Sequence, residues 1–313
     1  MRALIVGSGA SYAESLAIGA PANLQMPLMK NFAQLLWDDF HPGQSLIDFL
    51  NSKGRTCSPD EALKEFKLCE YQANTEINIE QYFEFLWNYR STYRTEYGID
   101  WWNILYHGLL QPILLRMGTV FHQNGVGWRK FPESDHVATR LRPNDIVLNL
   151  NYDTVFDIAL WRMHAGVCYT PNRTNNKCII VAKPHGSLNL LVSDKGFSFG
   201  DPENTGALPP KGAGFHFGFL PPRLHKHYRQ HEIAERILRG ISTLRPTTLT
   251  FWGIGMTASD LDLMDLYQRW LASAVTVEAI NPSKVDVDRI SRYLNAPVTQ
   301  FASVTDWCSG IVA

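Results

Sequence analysis

The sequence predicts an α/β fold: a doubly wound parallel sheet with an inserted helical subdomain. Three observations support this prediction. The chain opens on a short apolar run that ends in a glycine turn, MRALIVGSGAS. From Asp145 onward, short β-branched runs alternate with amphipathic helical patterns, as in parallel sheets whose strands are joined by helices. Residues 39–136 instead carry aromatic side chains at the three- and four-residue spacing of helices.

The strand and helix patterns can be followed along the chain. After the first strand, ALIV, the predicted strands are DIVLNL, KCIIVAKP, TTLTFWGIG, AVTVEAI and PVTQFA. Helical periodicity is found in EALKEFKLCEY, IEQYFEFLWNY, WWNILYHGLLQPILLRMGTVF, HEIAERILRGISTL and LDLMDLYQRWLASA. We therefore expect a Rossmann-like domain formed by residues 1–38 and 137–313, with residues 39–136 as the inserted helical subdomain. The Gly/Pro-rich stretch at 195–222 is expected to form a hairpin or a long loop.

Composition limits the function classes. The 313 residues carry a formal net charge of −1, so no bulk basic field attracts the chain to nucleic acid or to an anionic membrane. Only four apolar residues lie between Arg2 and Gly7, and this run is too short for a signal-peptide core. No later stretch is long enough to span a bilayer. We expect a cytoplasmic protein that contacts neither nucleic acid nor membrane directly.

Metal sites and disulfides are not predicted. The five cysteines are scattered without a CxxC pair: Cys57, Cys69, Cys168, Cys178 and Cys308. The segment LHKHYRQH contains His225, His227 and His231, but no carboxylate or cysteine accompanies them at ligand spacing. We interpret this segment as a solvated basic helix start and expect no metal.

The turn GSGAS at residues 7–11 is the first candidate for a ligand site. It joins a buried strand to a helix start, where backbone N–H groups point outward and can bind an anion. A dinucleotide fingerprint would place a third glycine where this chain has Tyr12, which argues against an ordinary dehydrogenase. A tight strand-to-helix turn without a ligand is the alternative interpretation.

Polar residues follow four later strands at the point where each strand ends. They are Asn151 and Asp153, then His185, then Thr257 and Asp260 after the turn that contains Gly255, and finally Asn281. Ligands of doubly wound sheets bind outside the carboxyl ends of the strands. Each residue alone is compatible with a helix cap or a turn. Their recurrence at successive strand ends favours a nucleotide site.

Taken in order, these motifs resemble those of the sirtuin-like family. The corresponding segments are GSGAS at 7–11, NYD at 151–153, HG at 185–186, GMTASD at 255–260 and NP at 281–282. The segments INIEQYFEFLW and FLPPRLHKHY also resemble parts of bacterial sirtuin-like NAD hydrolases. The resemblance spans nearly the whole chain.

The resemblance implies that NAD binds as the substrate and that no metal takes part. It assigns the pyrophosphate to Gly7, Ser8, Gly9, Ala10 and Ser11, and the adenosine side to Gly255, Thr257, Asp260 and Asn281, of which the last three would contact phosphate or the adenosine ribose. The implied catalytic residues are Asn151, Asp153 and His185. Asn151 would position the attacking water or the ribose hydroxyls, because a carboxamide donates and accepts without adding charge. Asp153 would orient the nicotinamide carboxamide, and His185 would be the general base.

The chain departs from the sirtuin deacylases, which usually carry two CxxC pairs around a structural zinc. This departure favours the branch of the family that hydrolyses NAD itself, as in bacterial anti-phage defence. The expected function is an NAD+ glycohydrolase that acts in abortive infection. Two alternatives stay open: an NAD-dependent protein deacylase, and a non-catalytic module that senses NAD or ADP-ribose.

The defence interpretation implies control by assembly. A constitutively active NAD hydrolase would kill its host, so we expect a homo-oligomer, a defence partner, or both. A HerA-type hexameric ATPase and a short prokaryotic Argonaute are the partners implied by the family. The sequence leaves open whether the stretch at 195–222 closes the site in the resting state.

Overall fold

The computed structural model describes residues 1–28, 44–71, 77–91, 109–123, 127–172, 177–193, 196–204, 219–222, 226–256 and 261–312. The chain divides into two compact units. The sheet unit comprises Met1–Met26, Arg116–Leu220 and His227–Ala313, and the helical unit comprises Pro27–Leu115 and Pro221–Lys226. The boundaries predicted from sequence for the insert, 39–136, stay a prediction.

A seven-stranded, all-parallel sheet forms the centre of the sheet unit, which confirms the predicted α/β fold. The strands in chain order are β1 (Arg2–Val6), β2 (His122–Gln123), β3 (Gly127–Trp128), β4 (Ile146–Asn149), β5 (Val167–Tyr169), β6 (Ile179–Ala182), β7 (Leu190–Ser193), β8 (Gly196–Phe199), β9 (Thr248–Trp252), β10 (Thr276–Ile280) and β11 (Thr299–Phe301). The sheet has the order β11-β10-β9-β1-β4-β6-β5, while β2 pairs with β3 and β7 with β8 in antiparallel hairpins. The edge strand β5 was not predicted from sequence.

From β9 to β11, one α-helix follows each strand, as the sequence patterns indicate. In chain order the α-helices are α1 (Ser8–Ala17), α2 (Gln44–Ser52), α3 (Pro59–Tyr71), α4 (Ile79–Asn88), α5 (Gln111–Arg116), α6 (Pro132–Thr139), α7 (Val155–Met163), α8 (Glu232–Ser242), α9 (Leu261–Leu271), α10 (Lys284–Leu294) and α11 (Val304–Ser309). A π-helical turn, Met117–Phe121, follows α5. No helix in the part of the chain that the structure describes is long and apolar enough to cross a membrane.

Helices cover both faces of the sheet, as the doubly wound prediction requires. Ala3 and Ile5 of β1 belong to a buried core that includes residues of α8, α9 and α10. Side chains alternate across a strand, so the neighbouring Leu4 points to the opposite face, and it is fully buried as well. On that second face Phe156 of α7 packs against Trp252 of β9. Burial on both sides explains why these strands are continuous apolar runs rather than alternating ones.

The aromatic helices of the helical unit pack through their own core. Phe49 of α2 makes edge contacts with Phe66 of α3 and Tyr82 of α4, with ring centroids 6.0 and 5.5 Å apart. The Tyr82 hydroxyl bonds the hydroxyl of Ser45 at 2.7 Å, and the Asn78 side chain caps α4. The helical periodicity predicted for residues 79–89 is therefore core packing. The predicted helical segment at 101–108 lies outside the described residues.

Candidate functional site

The candidate site lies at the carboxyl ends of the central strands. The chain first fills one side of β1 with β4, β5 and β6, and then returns to fill the other side with β9, β10 and β11. The reversal between β1 and β9 is the topological switch point, where doubly wound sheets bind their ligands. The turns that follow β1, β4, β6 and β9 therefore decide what the site can hold.

The glycine turn after β1 interlocks with a second glycine turn after β9. A Cβ added at Gly9 would lie 2.8 Å from the Cα and from the carbonyl oxygen of Gly253, and one at Gly7 would lie 2.7 Å from that same oxygen. Gly253 itself has φ +62° and would place a Cβ 2.2 Å from the nitrogen of Ala10. These glycines are needed because two backbones meet without side chains between them.

The same contact uses some of the N–H groups that were predicted to bind pyrophosphate. The N–H groups of Gly7 and Gly9 donate to the carbonyls of Trp252 and Gly253, both at 3.0 Å. Among the described residues, no acceptor bonds the N–H of Ser8, the first residue of α1. An anion at this turn therefore has the N-terminal end of α1 as its binding feature. The pyrophosphate assignment of residues 7–11 stays a prediction.

Asn151 is fixed directly after β4 by its own amide group. Its Nδ2 donates to the carbonyl of Gly7 and to the hydroxyl of Ser11, both at 3.0 Å. Its backbone N–H donates to the side-chain oxygen of Asn149 at 3.0 Å. Both amide hydrogens are thus used, and among the described residues no donor bonds the amide oxygen Oδ1. The buried Asn151 side chain therefore presents an acceptor whose direction is set by the β1 turn.

Asp153 is joined to the same arrangement through Ser11. The Ser11 hydroxyl donates to Asp153 Oδ1 at 3.0 Å, and the N–H of Val155 donates to that oxygen at 3.1 Å. Burial raises the pKa of the Asp153 carboxyl, while the charge of Lys183 and the bond from Ser11 act in the opposite direction. Neither hydrogen bond involves Oδ2. The structure thus brings Ser11, Asn151 and Asp153 together.

A buried ion pair lies beneath the loop that carries Asn151 and Asp153. The Lys183 ammonium donates to Asp157 Oδ2 at 2.8 Å and to the Asp153 carbonyl at 2.7 Å, and both charged side chains are fully buried. Asp157 also accepts from the Asn149 amide and from the Tyr169 hydroxyl, each at 2.8 Å. Sequence reasoning missed this pair. A lysine placed directly after the apolar run CIIVA was the available signal, because a strand end between two covered faces seldom holds an unpaired charge.

The His185 ring contacts the residue that precedes Asn151 in the chain. Its Nδ1 is 2.7 Å from the carbonyl oxygen of Leu150, the residue that precedes Asn151. A carbonyl only accepts hydrogen bonds, so this contact assigns the ring proton to Nδ1. Nε2 faces the hydroxyl of Tyr228 at 2.5 Å, and the two rings are stacked with centroids 5.6 Å apart. Tyr228 was not predicted, and nothing in its sequence context marks it.

The end of the Gly/Pro-rich stretch contacts His185. The N–H of Leu220 donates to the His185 carbonyl at 2.9 Å, and the Tyr152 hydroxyl donates to the carbonyl of Leu220. The Tyr152 ring also lies 6.0 Å from the His185 ring. At the other end of the stretch, β8 pairs with β7, which precedes the stretch. Residues 205–218 lie outside the described residues, and the question whether the stretch closes the site, which the sequence leaves open, falls on them.

Asn281 holds the turn after β10 against the turn after β9. Its Nδ2 donates to the carbonyl of Ile254 at 3.2 Å, and its Oδ1 accepts from the N–H of Ser283 at 2.9 Å. Gly255 follows Ile254 and is exposed. Thr257 and Asp260, predicted for the adenosine side, lie outside the described residues. The adenosine assignment of Asn281 and Gly255 stays a prediction.

Two further features bear on the chemistry. Within the described ranges, no three His, Cys, Asp or Glu side chains are grouped as metal ligands would be, and His225 lies outside those ranges. A pocket of about 200 Å³ opens between β5 and β8, with aromatic walls formed by Trp161, Tyr169, Phe197 and Phe199. Its lining includes none of the predicted site residues.

The comparisons with known proteins assign no family to the chain. No protein-family model matches the chain, and no curated protein matches it.

Proposed function

We propose that this chain is a sirtuin-like NAD+ glycohydrolase that cleaves NAD+ to nicotinamide and ADP-ribose. The observation that supports it most is that Asn151 bonds the glycine turn while His185 bonds the carbonyl of Leu150, the residue before Asn151, at the switch point of the sheet. A neutral amide acceptor bonded to the turn before a helix N-terminus, together with an imidazole bonded to the neighbouring residue, suits a substrate that has both a pyrophosphate and a reactive ribose.

Cleavage of the nicotinamide–ribose bond builds positive charge on the ribose, as in glycoside hydrolysis. Water then adds to the anomeric carbon, nicotinamide leaves with the bonding electron pair, and one proton is released from the water. In the proposal Asn151 Oδ1 accepts a hydrogen bond from that water or from a ribose hydroxyl, since both Asn151 amide hydrogens are already used. His185 takes up the proton.

Asp153 and the glycine turn would hold the two ends of the nicotinamide half. The Asp153 Oδ2, which neither protein hydrogen bond involves, would accept from the nicotinamide carboxamide. The N-terminal end of α1 would bind the pyrophosphate, with Ser8 N–H as a donor. Gly255, Thr257, Asp260 and Asn281 are proposed for the adenosine side, and the chemistry needs no metal.

The proposed biological setting is anti-phage defence by abortive infection, in the cytoplasm. Control is assigned to assembly, as a homo-oligomer or with a defence partner such as a HerA-type ATPase or a short Argonaute. In this setting the chain binds no nucleic acid and no membrane itself. The sheet geometry supports the NAD site, whereas the setting rests on the sequence resemblance.

The test is NAD+ consumption by the purified chain, with separation of the products. We expect nicotinamide and ADP-ribose in equal amounts from the wild type, and a loss of about 10²-fold or more in turnover for Asn151→Ala and for His185→Ala. His164→Ala is the matched control, because His164 also bonds a backbone carbonyl, that of Ala138, but lies outside the site. It should keep wild-type turnover.

The other outcomes separate the alternatives. Release of O-acyl-ADP-ribose that requires an acylated peptide would assign deacylation. Stabilisation by NAD+ without turnover would assign a sensing module. Full turnover in both folded site variants would contradict the catalytic roles, and neither binding nor turnover of NAD+ would contradict the proposal as a whole.

A further inference from the structure

Both ring nitrogens of His185 are engaged by groups of different chemistry. Nδ1 donates to the Leu150 carbonyl at 2.7 Å, which fixes the proton on that nitrogen. Nε2 therefore carries the lone pair, and the group 2.5 Å from it is the hydroxyl of Tyr228. In neutral His185 this hydroxyl must be the donor.

The hydroxyl of Tyr228 suits a histidine that gains and loses a proton. A carbonyl accepts from Nδ1–H in either protonation state, and a phenol hydroxyl donates to a lone pair or accepts from an N–H by turning about its C–O bond. The imidazole can therefore become charged without leaving its place. A carboxylate or an amide nitrogen at Nε2 would serve only one of the two states.

The surroundings of Tyr228 hold the hydroxyl in position. Tyr228 is fully buried in the core that also contains residues of α8 and α9. Its ring is stacked with the His185 ring at an interplanar angle of 15°. The Tyr228 ring needs only apolar packing, which a phenylalanine would supply equally well. The hydroxyl is the part of the residue that requires a separate explanation.

We propose that Tyr228 is the positioning residue of His185, which holds it in the Nδ1–H tautomer and keeps the ring in place when Nε2 is protonated. This rests on the proposed function for its catalytic consequence. In that reaction an O–H bond of the attacking water breaks and its electron pair stays on the water oxygen. Because the Tyr228 oxygen lies at the only lone pair of Nε2, the water proton goes to the Tyr228 oxygen while the Tyr228 proton forms the N–H bond at Nε2. The Tyr228 hydroxyl turns from donor to acceptor in the same step.

The first test reads the tautomer of His185 without any reaction. Long-range ¹H–¹⁵N correlation spectra of the histidine-labelled chain, assigned with His185→Ala, should show the proton on Nδ1 and a hydrogen-bonded lone pair on Nε2. In Tyr228→Phe the Nε2 resonance should move to the position of an unbonded lone pair. Tyr267→Phe, which removes the hydroxyl of another nearly buried tyrosine in the same core, should leave it unchanged. A proton on Nε2 in the wild type, or an unmoved resonance in Tyr228→Phe, would overturn the proposal.

The second test separates positioning from a merely structural role. Tyr228→Phe should lower kcat about 10²-fold while KM for NAD+ stays within about two-fold, and Tyr267→Phe should change neither. Equal losses in both phenylalanine variants would identify a packing effect and overturn the proposal. If the wild type does not cleave NAD+, the proposed function fails, while the spectra still decide whether Tyr228 positions His185.

Discussion

The amide nitrogen of Asn151 donates a hydrogen bond of 3.0 Å to the hydroxyl of Ser11. That hydroxyl in turn donates to Asp153, so one side chain of α1 aligns two side chains of the loop after β4. The directions of Asn151 Oδ1 and Asp153 Oδ2 are therefore set by α1, the helix that follows β1, although both residues follow β4.

Replacing Ser11 by alanine should lower turnover of NAD+ about tenfold. The variant leaves an amide hydrogen and a carboxylate oxygen without their shared partner, which costs about 1–3 kcal/mol of stability as well. Ser15→Ala is the control, because Ser15 lies one turn further along α1 and its hydroxyl bonds backbone groups of Tyr12 and Met26 rather than side chains of the site. Steady-state kinetics and urea unfolding should show that both variants lose stability and that Ser11→Ala alone loses turnover. Unchanged turnover in Ser11→Ala would contradict the alignment role.

Gly253→Ala should destabilise the sheet unit by about 3 kcal/mol or more. The new Cβ would overlap the backbone of Ala10 and Gly9, and the residue would keep a positive φ. Gly19→Ala separates the two causes, since Gly19 has φ +72° and open space around it. That control should lose only about 1 kcal/mol. Equal losses of unfolding free energy in urea would show that the close approach of the two turns is not tight.

Lys183→Met should cost about 3–5 kcal/mol of stability, because it leaves the buried Asp157 carboxylate without its counter-charge. Adding Asp157→Asn should recover part of this loss, since the neutral amide needs no cation. Lys284→Met removes an exposed ion pair with Asp288 and should change the unfolding free energy by less than about 1 kcal/mol. A double variant less stable than Lys183→Met would contradict the account.

The free energy of unfolding should fall as pH rises from about 4.5 to 7, because Glu14 of the unfolded chain loses its proton in this range. Burial raises the pKa of Glu14 from 4.5 to about 7, although hydrogen bonds from Ser134 oppose the shift. In this range the unfolded chain has released the Glu14 proton while the folded chain still holds it, so the unfolded state binds fewer protons and deprotonation favours unfolding. The loss is about 3 kcal/mol in total.

Glu14→Gln tests this directly, because a glutamine is neutral in both states and can still accept from the Ser134 N–H. Its unfolding free energy relative to wild type, measured in urea from pH 4.5 to 8, should rise by about 3 kcal/mol and then level off above pH 7. Glu232→Gln, at an exposed site of α8, should show no such trend. A constant difference between Glu14→Gln and wild type would rule out the raised pKa.

The sequence was sufficient for six of the seven strands of the sheet because each of those six has a local signature. DIVLNL, KCIIVAKP and TTLTFWGIG become β4, β6 and β9, and the residues after them do meet at one edge. Strand β5 escaped prediction because VCY is short and lies at the edge of the sheet. Periodicity cannot identify a strand of three residues.

The partners within the site could not be read from sequence for a different reason. Gly7 and Gly9 were assigned to a ligand, whereas the structure shows that Gly253 meets them through backbone atoms. Tyr228 reaches His185 from a distant part of the chain, and Asp157 looks like an ordinary acidic residue in the first turn of a helix. These contacts depend on which turns the fold brings together, and no local spacing encodes that.

The central position of β1 has a consequence for synthesis on the ribosome. β1 emerges well before β9, the strand that covers its second edge and whose last residue is Trp252. Until that strand has left the exit tunnel, the nascent chain holds an open apolar edge and lacks the Gly253 turn. An incomplete chain therefore cannot assemble the glycine turn as it stands in the finished protein. The order of translation thus keeps each new copy without its assembled glycine turn until β9 and the turn after it have been made.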